Sequence, residues 1–147
     1  MERNLAIIGL VLGICVSTML AQKGANFLPN LAFFWLSQLA VLALALPFRP
    51  RPAVIGGGAL ALAVYLGAFA AWLALHPDRA GLIWLGYLFS LPGAAVGAIV
   101  ATLLLRDRVK YSAVVASCIA SGVALVGVLI NQTFVCMTAM YCISNGP

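Results

Sequence analysis

Five long apolar stretches make up most of this chain, and no charged residue falls inside any of them. All eight Lys and Arg, the three acidic residues and the single His lie in the short gaps between stretches or at the N-terminal end. A bilayer core of roughly 30 Å takes about 20 apolar residues of helix to cross. Strands of a membrane barrel would alternate apolar and polar residues, and these stretches are apolar on every side. The expected fold is therefore all-α, a polytopic membrane protein built as a five-transmembrane-helix bundle. Its 147 residues, 65% hydrophobic and 7% charged, are read as a single transmembrane domain, 1–147.

The predicted helices cover 5–21, 27–46, 53–75, 81–105 and 112–130, followed by a mixed tail, 131–147, too short and too polar to span. The first stretch resembles a secretory signal, with Arg3 ahead of an apolar run. Met19 stands where a small residue would precede a cut after Ala21, and Ile14 where a lipoprotein-type site before Cys15 would want one. It reads as a retained helix.

The loops predict orientation. Arg3, Arg49, Arg51, Arg106, Arg108 and Lys110 fall on one side, and only Lys23 and Arg79 on the other. By the positive-inside rule the N-terminus is cytoplasmic and the tail outside, in the periplasm of a bacterium. An Ala-, Leu- and Gly-rich composition that prefers Arg to Lys suits a bacterial inner membrane protein. The net charge of +5 is then a topology signal and not a nucleic-acid one. Pro47-Phe48-Arg49-Pro50-Arg51-Pro52 predicts a stiff, extended connector.

Small residues recur at four-residue spacing, where they let helix backbones approach closely in lipid. The packing positions are Gly9 and Gly13 on the first helix, Ala63 and Gly67 on the third, Gly86, Ser90, Gly93 and Gly97 on the fourth, and Ala116 and Ala120 on the fifth. The second helix has no such row and is placed at the periphery. Gly56-Gly57-Gly58 follows no strand and precedes no Gly-Lys-Ser/Thr, so it reads as a close-packing site rather than a phosphate loop. Gln38 is a strongly polar side chain near mid-span and needs a partner on another helix. Pro92 removes a backbone donor in the fourth helix and predicts a kink.

Cys136 and Cys142 in the outer tail are read as a disulfide, with free thiols or a redox pair as alternatives. Cys15 and Cys118 read as small core residues. His76 sits in a His-Pro-Asp-Arg turn with no second metal ligand near it in sequence. No paired carboxylates, Ser/His/Asp set or nucleotide motif marks an enzyme, and no catalytic residue, metal site or cofactor is expected. Proton pumps and sodium-coupled carriers keep an ionisable residue within a span, and these spans carry none.

The reading that survives is a binding or protective protein. In its sharpest form it is an immunity protein that neutralises a pore-forming toxin by helix packing in the bilayer, or else an accessory subunit of a membrane complex. Its contacts would lie on the outer face: Phe27, His76, Phe134, Met137, Met140 and Tyr141. The expected partners are the lipid bilayer and another membrane-active protein, with a second copy of the chain as a further option. A small channel or carrier and a thiol-redox protein are the alternatives.

Overall fold

The computed structural model describes residues 1–21, 26–75, 83–106 and 111–138. They form five α-helices: α1 (Glu2–Leu20), α2 (Phe27–Ala45), α3 (Pro52–Leu75), α4 (Ile83–Leu105) and α5 (Ala113–Thr138). All five are long and apolar enough to cross a membrane. Their outer surfaces remain apolar, with Ile8, Leu36, Val64, Val96 and Leu129 all exposed, a surface that hydrocarbon would cover and water would not.

Two boundaries differ from expectation. Helix α1 begins at Glu2 rather than at Leu5, with the Glu2 carboxylate favourably placed in the first turn, at the positive end of the helix dipole. Helix α5 does not stop at Ile130 but continues through Asn131–Thr138, so the first part of the expected tail is helix. Two of the polar residues there, Asn131 and Gln132, have partners on other helices, which removes their competition for the α5 backbone. Asn131 Nδ2 donates to the Phe89 carbonyl at 2.5 Å, and the Tyr65 hydroxyl donates to Gln132 Oε1 at 3.5 Å. Thr133 and Thr138 donate back to carbonyls one turn earlier.

The proline-rich connector is also not extended. Leu46–Phe48 form a 3-10 turn with Pro47 in its first positions, and Arg49 closes it in the left-handed conformation, φ 56°. The Arg49 N–H donates to the Leu46 carbonyl at 2.9 Å. Pro50 bars the residue before it from right-handed helix, so the chain reverses at Arg49 instead.

Helix α3 is the common wall of the bundle. Successive helical residues point about 100° apart, so three glycines in a row face three directions. A Cβ on Gly56 would lie 2.6 Å from the Leu5 carbonyl oxygen of α1. One on Gly57 would run into the Ser117 carbonyl and the Ala120 side chain of α5, and one on Gly58 would lie 3.1 Å from Leu42 of α2. Ser121 Oγ adds a hydrogen bond to the Gly57 carbonyl at 2.8 Å. A second seam joins α4 to α5, where the Gly93 and Gly127 backbones touch and a Cβ on Gly97 would lie 2.8 Å from Ala124 Cα. The expected packing positions Gly9, Gly13, Ala63, Gly86, Ser90, Gly93, Gly97, Ala116 and Ala120 are all buried. Gly127 belongs with them and was not anticipated. Helix α2 is the least engaged and leans chiefly on α4.

Gly67 does not pack as expected: a Cβ there would meet nothing within 4 Å. On either side of it the Tyr65 and Phe69 rings of α3 fill the space beside Tyr87, with Trp72 against Phe69, and bulk at a crossing sets helices apart.

The pairings also define the two ends. Leu5 of α1 lies at Gly56 of α3, and Gly57 at Ser117 of α5, so the first turns of these three helices share one end. Arg51 fastens that end. Its Nε donates to Glu2 Oε1 at 3.1 Å, its Nη2 donates to the same oxygen, and Nη2 lies 3.5 Å from the Tyr111 carbonyl. Arg3, Arg49, Arg51 and Arg106 all lie at this end, since α2 and α4 finish where the other helices start.

A buried tyrosine-glutamine cluster and a grooved outer face as candidate functional site

Inside the bundle, polar side chains from α2, α3, α4 and α5 come together among aromatic rings. Gln38 of α2 is buried, 4% exposed, and its Nε2 donates to the Tyr87 hydroxyl of α4 at 3.4 Å. The interhelical partner expected for Gln38 is therefore Tyr87. Its Oε1 would lie 3.0 Å from a Cβ on Gly13, so the α1 glycine leaves room for the amide. Tyr87 is fully buried, its ring stacked on Tyr65 at 5.8 Å and 16°, with Phe34 edge-on at 6.3 Å and Phe69 tilted at 6.0 Å. Tyr65 carries the chain of contacts on to Gln132 of α5. Ser90 Oγ donates to the Tyr87 carbonyl at 2.6 Å. On α1, one turn beyond Gly13, the buried Ser17 Oγ has no hydrogen-bond partner.

A cluster of this kind can hold helices in register and can present hydroxyl and amide groups to a neutral polar group. A hydroxyl or amide buried without a partner costs about 1–3 kcal/mol, which is why these groups converge. Among the described residues, no three His, Cys, Asp or Glu side chains gather as a metal-ligand set.

The outer face of α4 carries the second feature. Pro92 is exposed there, inside a helix that continues on both sides. One groove of about 350 Å³ lies between α4 and α5, lined by Pro92, Gly93, Val96, Gly127, Asn131 and Phe134. A second, of about 490 Å³, lies between α4 and α2, bounded by Ser37, Leu44, Leu88, Pro92, Val96 and Ile99. Pro92 and Val96 form the ridge between the two. The missing N–H of Pro92 deprives the Leu88 carbonyl of a helical partner, and the next carbonyl, Phe89, is served by Asn131 from across the groove.

The sequence-predicted contacts divide. Phe134 and Met137 are exposed, at 65% and 62%, on the last turns of α5, and Phe27 is half-buried at the start of α2. Phe134 alone joins the groove. His76, Met140, Tyr141 and Cys142 lie outside the described residues. Cys136 is half-buried near the end of α5 and receives the Gln132 amide at 3.7 Å. Cys15 and Cys118 are not core residues, as expected of them, but exposed free thiols on the outer surface. Sequence reasoning missed Tyr65, Tyr87 and Gln132. The available signal was a tyrosine placed well inside an apolar run, away from the span ends where tyrosine usually collects.

Comparison with family models, with curated proteins and with solved structures finds no match to this chain.

Proposed function

We propose that this is a multi-pass protein of the bacterial inner membrane that acts by binding another membrane-embedded protein, and that its partner is a pore-forming toxin which it neutralises. The observation that carries the reading is the paired groove on the outer face of α4. Two apolar channels flank the Pro92–Val96 ridge, a shape that accepts the side-chain rows of an added helix. In lipid such a contact is driven by close packing, and Gly93 and Gly127 keep the groove floor low. The arginines gathered at one end support a cytoplasmic N-terminus, with Phe134 and Met137 then toward the periplasm, the side from which a toxin arrives.

A photo-crosslinking residue at position 96, followed by purification from native membranes, tests this. The expected result is one stoichiometric toxin partner, with Val96→Trp abolishing both the crosslink and protection against that toxin while the chain still accumulates. Capture of resident complex subunits would instead make this an accessory chain.

The Gln38–Tyr87–Tyr65–Gln132 path, buried at Gln38 and Tyr87 and half-buried at Tyr65 and Gln132, favours one second reading, a small channel or carrier for a neutral polar solute. Recovery of the chain alone, together with solute flux in liposomes, would select it.

A Cys136–Cys142 bridge also belongs to the proposal, as a brace for the outer end of α5. Closing so short a loop would add about 2 kcal/mol. Intact-mass measurement after thiol alkylation under denaturing, non-reducing conditions should find only Cys15 and Cys118 modified. Four modified thiols would remove the bridge.

A further inference from the structure

The end of the bundle where α2 and α4 finish carries two cations without a partner among the described residues. Arg49 directly follows the Leu46–Phe48 turn, Arg106 directly follows α4, and that turn touches α4. Both side chains are exposed, and neither has an ion-pair or hydrogen-bond partner among the described residues. The carboxylate described at this end, Glu2, is already engaged by Arg51. Arg49 also occupies a left-handed backbone position, φ 56°, where glycine is the usual residue. The flanking prolines hold that turn, so the cation is presented from a fixed point.

Directly inward from the two arginines the surface turns apolar. Leu46 and Phe48 are exposed on the turn, and Leu103 and Leu104 on the last turn of α4. We propose that Arg49 and Arg106 together bind the phosphate of an anionic phospholipid whose acyl chains run along Leu46, Phe48, Leu103 and Leu104. A guanidinium matches phosphate through paired N–H donors. A free phosphate would use the arginines and leave the apolar surface below them unoccupied, so the juxtaposition selects the lipid. Basic residues beside membrane helices also set orientation without engaging any particular headgroup. The site differs from that general effect in being local to the α2 and α4 ends.

The test uses the full chain in phosphatidylcholine nanodiscs, with phosphatidylglycerol titrated in. Thermal unfolding and native mass spectrometry are the readouts. Phosphatidylglycerol should raise the unfolding midpoint and remain bound in a defined stoichiometry. Arg49→Gly combined with Arg106→Gln should weaken its retention about tenfold or more, since each cation near an anionic surface contributes a comparable attraction. Arg49→Gly suits the left-handed backbone, so it removes the charge without opposing the turn, and alone it should give part of the loss. Arg49→Lys should keep most of the binding. The proposal is overturned if Arg3→Gln, which removes a charge from α1, weakens retention as much as Arg106→Gln does. It is equally overturned if the double variant binds normally, or if inorganic phosphate raises the midpoint as much as the lipid does.

Discussion

Gly57→Val is expected to lower the stability of the bundle by about 3 kcal/mol or more, at the upper end of the range for overpacked cores. The added atoms would meet the Ser117 carbonyl and Ala120, and backbone on a neighbouring helix cannot step aside as a flexible side chain can. Relief would require α3 and α5 to separate, which would also stretch the Ser121 hydrogen bond to the Gly57 carbonyl. Gly67→Val is the internal control. It sits on the same helix, adds the same atoms and meets open space, so it should change stability by less than about 1 kcal/mol. Unfolding in mixed micelles, followed by far-ultraviolet circular dichroism, measures both. Equal losses at the two positions would mean that valine harms α3 in general, and that the three-way glycine contact is not what joins the bundle.

Tyr87→Ala should have a comparable effect, about 3–5 kcal/mol, because it empties the space at the centre of the ring cluster. Tyr87 is the largest fully buried side chain among the described residues, and Tyr65, Phe34 and Phe69 all rest on it. Tyr87→Phe keeps the ring and removes the acceptor of the Gln38 amide. That change should cost only about 0.6–1.7 kcal/mol, the range for a hydrogen bond between helices in lipid. Gln38→Leu should cost a similar amount, and the double variant less than the sum, because each single change already breaks the same bond. If Tyr87→Phe proves as damaging as Tyr87→Ala, the hydroxyl and not the ring is the element that matters. The cluster would then have to be understood as a polar site first and a packing core second.

The helices were legible because hydrophobic length is a local property. Apolar runs bounded by arginine, proline and glycine locate α2 and α3 to within a residue or so. The end of α5 was not legible, because Asn131, Gln132 and Thr133 look like a helix stop until their partners on α3 and α4 are known. Gly67 shows the converse error. It continues a small-residue row in sequence, but rings on the same helix hold the neighbouring helix away, and spacing alone carries no information about that. Gln38 was recognisable as a group in need of a partner. That the partner is Tyr87 depends on the relative height of α2 and α4, which no local pattern encodes. The grooves beside Pro92 likewise arise from how three helices sit together and have no counterpart in any one segment.

The two glycine seams of α5 bear on the order in which the molecule can be assembled. One seam faces Gly57 on α3, the other faces Gly93 and Gly97 on α4, and both are closed by α5, which follows those helices in the chain. Until α5 has been synthesised, α3 and α4 therefore have these glycine faces uncovered, and Tyr65 lacks its Gln132 acceptor. The late-arriving helix completes both seams and that bond in a single docking event. A nascent chain stalled before α5 would present two open, closely approachable backbones to any other apolar helix it met.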